Sequence, residues 1–248
     1  MGSTNVRLYV EQPLGQGQSV ALTREQAHYL FGVMRLMQGD ALSLFNGRDG
    51  EWRAEVAEAG KRGGTLVCAV QTAPQGAPPD LWLVFAPIKK ARTDFIVEKA
   101  VEMGAARIIP VLTDFTNSER IRRDRLQAHA LEAAEQCGIS YVPEVAELVR
   151  LDRLLAGWAA DRALYFCDEA LAGEGASSWE KYAGGPGAEP PASAILIGPE
   201  GGFSEAERTR LAALPFTRPI ALGPRILRAD TAAVAALALW QAHVGDWR

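Results

Sequence analysis

Cysteine and histidine are scarce in this 248-residue chain, with three of each. Cys68, Cys137 and Cys167 lie far apart and are odd in number, which excludes a disulfide framework. They are expected to be buried, reduced thiols. His28, His129 and His243 are too scattered for the ligand spacing of a zinc centre, so no metal is expected. No apolar run reaches the roughly 18 residues of a membrane-spanning helix. The stretch Met1–Val10 lacks the apolar core of a signal peptide. These absences set the expectation of a cytoplasmic protein with no membrane partner. An excess of positive charge is also missing: the formal net charge is -4. Global charge therefore gives no support to a nucleic-acid partner, and only a local basic patch would. Internal repeats are absent too. What remains is 48% hydrophobic and 23% charged, a balance that excludes global disorder and fits a globular fold.

Two patterns divide the chain. Residues 1–72 read as short strands with turn signals between them: Arg7–Val10, Ser19–Leu22, Ala41–Phe45, Glu51–Val56 and Thr65–Val70. Asn46-Gly47 through Gly50 marks a hairpin loop. One helix interrupts them over Thr23–Leu36, where Leu30, Val33, Met34 and Met37 recur at helical spacing. Residues 73–80 have linker composition, with three prolines between Ala73 and Pro79. From Leu81 to Arg248 strands alternate with helices, the signature of a mostly parallel α/β sheet. Leu81–Ala86 is a continuous apolar run, as in a strand buried on both faces. Thr93 is placed as the cap of a helix carrying Ile96, Val97, Ala100 and Val101 on one face, ended by Gly104. Arg107–Leu112 is a strand, and Arg123–Cys137 a helix stopped by Gly138. Ala163–Cys167, Ala194–Ile197 and Pro219–Leu222 are further strands, with helices starting near Ser204 and Asp230. Ala172–Ala192, rich in Gly, Ala, Pro, Ser and Glu, reads as a long loop, either a solvated insertion or a lid.

Chemistry concentrates in two loops, each leaving a strand and entering a helix. The first is Ile197-Gly198-Pro199-Glu200-Gly201-Gly202, followed by Ser204 and Glu207 at capping-box spacing. Three glycines let a ligand approach the backbone closely, at the strand end where α/β sheets bind ligands. A tight turn that binds nothing would carry the same residues. No G-x-G-x-x-G and no P-loop is present in this loop, which argues against a dinucleotide or nucleoside-triphosphate site. The second loop is Leu222-Gly223-Pro224-Arg225-Ile226-Leu227-Arg228, with Asp230 or Thr231 as the expected cap of an apolar helix over Ala232–Trp240. Arg225 and Arg228 are either surface arginines near a cap or the groups that orient a phosphate or a polarised base.

These two loops together resemble the signature pair of the RsmE-type 16S rRNA uridine-N3 methyltransferases, of the knotted SPOUT class. Met34-Arg35-Leu36 with Gly39-Asp40, Glu98–Gly104, and Glu135–Gly138 with Val142-Pro143 resemble further motifs of that family, in order and at the expected separations. The resemblance implies an N-terminal PUA-like β-barrel that binds RNA and a C-terminal SPOUT α/β domain with a deep trefoil knot. It also implies S-adenosyl-L-methionine as cofactor, 16S rRNA or the small ribosomal subunit as partner rather than DNA, and a homodimer. Two positions depart from it: Asp230 stands where the family has Glu, and Ile139 where it has Arg.

On that resemblance, Ile197, Gly198, Pro199, Glu200, Gly201, Gly202, Leu222, Gly223, Ile226, Leu227, Arg228, Thr231 and Ala232 are the expected cofactor-binding set. Ile197, Ile226 and Leu227 supply an apolar floor for the adenine. Arg228 ranks first as catalytic residue, because a cation beside the base stabilises the anion left when uridine N3 loses its proton. Asp230 or Glu200 would accept that proton. The RNA path is expected over Arg7, Arg35, Lys89, Lys90, Arg92, Arg120, Arg122 and Arg123. Three rival readings remain: a ribose 2′-O-methyltransferase with similar loops, a non-catalytic RNA-binding or assembly factor of the same fold, and an unrelated nucleotide-binding α/β enzyme, against which the absent fingerprints argue.

Overall fold

A computed structural model describes residues 6–60, 62–118, 120–173, 179–182 and 188–247. They fall into two units, the first comprising 1–77 together with 134–142, the second 78–133 together with 143–248.

The first unit is built on one mixed sheet. Its strands are β1 (Arg7–Tyr9), β2 (Ser19–Ala21), β3 (Ala41–Phe45), β4 (Glu51–Gly60) and β5 (Gly63–Ala73), in the order β1-β3-β4-β5-β2. Among the described residues β1 and β3 run parallel and the other pairings are antiparallel. Alternation drives this sheet: Leu42 and Leu44, Ala54 and Val56, and Leu66 and Cys68 point into one core. The long β4–β5 ribbon bends at three register shifts, so it outruns the six-residue strands expected from the pattern. The helix between β2 and β3 is α1 (Arg24–Ala27), continued by a π-helical turn over His28–Val33. Thr23 caps it through a complete capping box with Gln26. The wider π turn breaks the 3.6-residue period, so the expected apolar face does not form: Leu30 is buried, but Val33, Met34 and Met37 are exposed.

Among its described residues the second unit carries seven parallel strands: β6 (Leu81–Phe85), β7 (Arg107–Leu112), β8 (Glu144–Val145), β9 (Val149–Arg150), β10 (Ala163–Cys167), β11 (Ser193–Ile197) and β12 (Thr217–Ile220). Their order is β12-β10-β11-β6-β7-β8, with β9 also pairing to β7. All five residues of β11, flanked by β10 and β6, are buried, as a central strand covered on both faces requires. The strand expected at Pro219–Leu222 lies two residues earlier, since Pro219 is tolerated on the edge strand β12. The helices are α2 (Lys90–Glu102), α3 (Arg123–Cys137), α4 (Leu151–Ala156), α5 (Glu205–Ala213) and α6 (Ala229–His243). The last turn of α3 counts with the first unit.

Three local expectations are corrected. Thr93 does not cap α2, which starts three residues before it; its buried hydroxyl instead joins the backbone N–H and C=O of Ile88 at 3.0 Å each. Arg228, not Asp230 or Thr231, is the cap residue of α6, and its side chain makes no capping bond. Cys68 and Cys167 are buried, whereas Cys137 is exposed. Of the loop over 172–192, residues 174–178 and 183–187 lie outside those described. Trp179, between them, is buried, with its ring 5.3 Å from that of Tyr165. The apolar helix α6 buries Ala233, Ala236, Leu237 and Trp240 and packs against α2.

Candidate active site

Four neighbouring parallel strands, in the order β12-β10-β11-β6, end in register: Ile220 and Ile197 both pair with Cys167, and Phe85 pairs with Ile197. Parallel strands release their chains at the same edge. The segments after Ile220, Cys167, Ile197 and Phe85 are therefore brought together although they are far apart in sequence. Between them lies a pocket of about 380 Å³, within the range of roughly 300–1,000 Å³ found for small-molecule sites.

Of the expected cofactor set, Ile197, Gly198, Pro199, Glu200, Gly202, Leu222, Gly223, Ile226, Leu227, Arg228 and Ala232 line this pocket. Gly201 and Thr231 do not, and neither does the catalytic candidate Asp230. Gly201 faces away, toward Phe115. Ile226 is 75% exposed, so it caps the pocket rim and is not part of a buried floor; Ile197 and Ile220 supply that floor. The glycines are needed for two different reasons. A Cβ on Gly198 would sit 2.5 Å from the Phe203 ring. Gly202 has φ 70°, and a Cβ there would overlap Oε1 of Glu169.

Several lining residues carry no motif in the sequence. Cys167, Asp168, Glu169 and Ala172 follow β10. Their only signal is position, at the carboxyl end of a parallel strand. Burial pushes the Cys167 thiol up, so it lines the wall as a neutral apolar group. Asp168 and Glu169 are tied to α5: Arg208 Nε lies 3.3 Å from Asp168 Oδ1 and Arg208 Nη2 2.5 Å from Glu169 Oε1. The capping box of α5 forms as expected, Ser204 Oγ accepting from Glu207 N–H at 3.2 Å. Glu207 also accepts from Asp114 N–H at 2.9 Å, which holds the turn after β7 beside the glycine loop.

The charged residues at the mouth are unequally committed. Arg92 donates from Nη1 to Glu200 Oε1 at 2.9 Å and places Nε 3.6 Å from Asp230 Oδ2. Asp230 Oδ1 accepts from Thr231 N–H at 3.0 Å. Arg225 and Arg228 are exposed at the pocket and form no ion pair among the described residues, where they are the free cations of the site.

Among the residues expected on an RNA path, Arg92 lies in the pocket. Arg7 is corrected: its side chain is 10% exposed, lies over the Phe45 ring, pairs with Glu51 at 2.9 Å and donates to the carbonyls of Ala134, Glu135 and Ile139. A side chain so enclosed is a structural tie within the first unit. Arg122 pairs with Asp124, and Arg123 donates to Val145 O. Arg35, Lys89, Lys90 and Arg120 are exposed. Arg35 also holds a φ of 58°.

Comparison with known proteins places this geometry. Residues 75–241 match the RNA methyltransferase domain family and residues 22–67 the RNA methyltransferase PUA domain. The chain is 31% identical over 224 residues to the ribosomal RNA small subunit methyltransferase E of Synechocystis, covering 89% of this chain and 72% of that one. It is 29% identical over 238 residues to the enzyme of the same name from Rickettsia conorii, covering 94% and 93%. Among solved structures it is similar to a Legionella pneumophila protein with bound cofactor SAM, at TM-score 0.83 and 30% identity over 96% of this chain and 97% of that one. It is also similar to the ribosomal RNA small subunit methyltransferase E of Neisseria gonorrhoeae bound to S-adenosyl methionine, at TM-score 0.81 and 25% identity over 98% and 99%. With its two loops closed on one pocket and both of its domains matched, the chain belongs to the ribosomal RNA small subunit methyltransferase E family of RNA methyltransferases.

Proposed function

We propose that this protein transfers a methyl group from S-adenosylmethionine to N3 of a uridine in small-subunit ribosomal RNA. In this reading residues 1–72 bind the RNA, 73–80 link, and 81–248 carry the chemistry, in a cytoplasmic homodimer. The observation that carries it is the meeting of the 198–202 and 222–228 backbones around a nucleoside-sized pocket, with an arginine at its mouth that has no ion-pair partner among the described residues.

The residues present fit the cofactor. Ile197, Ile220 and Leu227 offer an apolar wall for the adenine, the glycines admit a close approach, and Asp168 and Glu169 offer acceptors of the kind a ribose needs. S-adenosylmethionine, when bound, supplies an electrophilic methyl group with its own leaving group, so the protein's task is to position and to stabilise charge. Uridine N3 must give up its proton ahead of the N–C bond, which places transient negative charge on the adjacent oxygens until the methyl group arrives. Arg228 ranks first for that work because no carboxylate among the described residues neutralises its guanidinium. Asp230 and Glu200 rank behind it as proton acceptors, since both face Arg92.

Two measurements test the reading. Calorimetry with S-adenosylmethionine should show binding, and mass-spectrometric mapping of rRNA nucleosides with and without the protein should show one 3-methyluridine. A 2′-O-methylated nucleoside instead would overturn it. Arg228→Ala should keep cofactor binding and lose on the order of 10²–10³ in turnover, the cost of removing one charge-stabilising donor. Near wild-type turnover would remove Arg228 from the mechanism.

A further inference from the structure

Arg92, expected on a path of RNA phosphates, points its side chain at two carboxylates, Glu200 of the pocket wall and Asp230 just outside the lining. It stands in the first turn of α2, after β6. Glu200 belongs to the glycine loop after β11 and Asp230 to the first turn of α6. One guanidinium thus joins three elements whose residues are 108 and 30 positions apart along the chain (200 − 92 and 230 − 200). Those elements carry both pocket-forming loops.

An ordinary surface ion pair contributes little, because water screens it and two flexible side chains must be ordered. This cluster differs in three ways. Two of its three side chains are only part-exposed, at 32% for Arg92 and 19% for Asp230, while Glu200 at 43% is exposed. Its acceptor Asp230 is already fixed from the other side by Thr231 N–H. Finally, Glu200 and Asp230 are like charges facing one site, which separate unless a cation lies between them. A planar guanidinium presents donors on two edges and can serve both carboxylates at once; a lysine ammonium, a point charge, cannot hold the same geometry.

We propose that Arg92 is a positioning residue for methyl transfer: by bridging Glu200 and Asp230 it locks the glycine loop against the start of α6, and so fixes Arg228 relative to the reacting base. Arg228 directly precedes α6 and is two residues from Asp230, so a change in the clamp is felt at the guanidinium that faces the base. The effect on turnover rests on the function proposed above; the effect on the two loops does not.

The test uses the full-length protein with Arg92→Met, Arg92→Lys, Glu200→Gln and the Arg92→Met/Glu200→Gln double variant. Hydrogen exchange without any ligand comes first. Arg92→Met should raise exchange several-fold in both 199–203 and 229–232, and unchanged exchange in either segment overturns the clamp whatever the protein's activity proves to be. Turnover at saturating RNA and cofactor comes second. Arg92→Met should lose on the order of 10- to 100-fold in kcat, the cost of a small misplacement of reacting groups, with KM for RNA little changed. Arg92→Lys should recover part of that loss. The double variant should be little worse than Arg92→Met alone, because both changes break one unit. The third readout separates this role from binding to phosphate: the slope of log RNA affinity against log salt should stay at its wild-type value. A slope reduced by about one, or single-variant losses that multiply, would overturn the proposal. Absence of cofactor binding by the wild-type protein would instead count against the proposed function alone.

Discussion

Alanine at position 202 meets two obstacles that alanine at 201 does not. Gly202 holds φ 70°, and its absent Cβ leaves the space in which the Glu169 carboxylate sits. Gly201 has an ordinary φ and would place a Cβ 3.4 Å from Phe115, a contact of normal length. Gly202→Ala should therefore cost about 1–3 kcal/mol in backbone strain alone and break the Glu169 anchor, abolishing cofactor binding. Gly201→Ala should fold and bind almost as well as the parent. Thermal melting and calorimetry on the two variants check this, and equal losses would refute the assignment. The sequence shows that glycine is needed somewhere in Gly-Pro-Glu-Gly-Gly, because three glycines so close form a turn that few other residues can make. It does not show which one, because the deciding neighbour, Glu169, comes from the segment after β10, distant in sequence. Arginine is ambiguous in sequence for the same reason. Arg7, Arg92 and Arg228 carry the same charge, and only their surroundings divide them into a structural tie, a clamp and a free cation.

The short β1 strand and the turn of chain at 134–142 depend on one another through two side chains, Arg7 and Glu135. Arg7 donates to three carbonyls there, and the backbone N–H of Tyr9 donates to Glu135 Oε1 at 2.8 Å. Those carbonyls belong to the end of α3 and the residues just after it, where helical partners run out and an arginine can satisfy them. Arg7→Met would leave them and the Glu51 carboxylate without their donor. A loss of about 3 kcal/mol in stability is expected, with faster hydrogen exchange over 134–142. RNA affinity at low salt should keep its salt slope, and a reduced slope would return Arg7 to the RNA path. At this scale the sequence is legible wherever a pattern is local. The Ser204–Glu207 capping box and the Gly104 and Gly138 stops form where their spacing places them. It misleads where the period changes. The π turn at His28–Val33 rotates Val33 and Met34 out of the face that a regular helix would bury, and no residue type signals a π turn.

A molecule with a formal net charge of -4 can hold an RNA phosphate chain only through a concentrated basic surface. Lys89 and Lys90, exposed and unpaired among the described residues, precede the pocket residue Arg92. Replacing both by glutamine should weaken RNA binding across sequences and lower the salt slope by roughly one for each phosphate no longer neutralised. Filter binding over a salt series reads this directly, and an unaltered slope would place the RNA elsewhere. Membership of the methyltransferase family accords with what the two loops suggest, because short motifs in fixed order survive where overall identity falls to about a third or less. The sequence by itself determined the elements: apolar runs buried on both faces become strands of a parallel sheet, and glycine-rich exits from those strands become loops that a ligand can approach. Only the tertiary structure decided which strands are neighbours. The order β12-β10-β11-β6 brings the residues after Cys167 and the start of α2 into a pocket announced by two other loops. Hydrophobic patterning specifies which face of a strand is buried but not which strand lies beside it. The pairing is settled by how helices and sheet pack as a whole, and that sum is not written at any one residue.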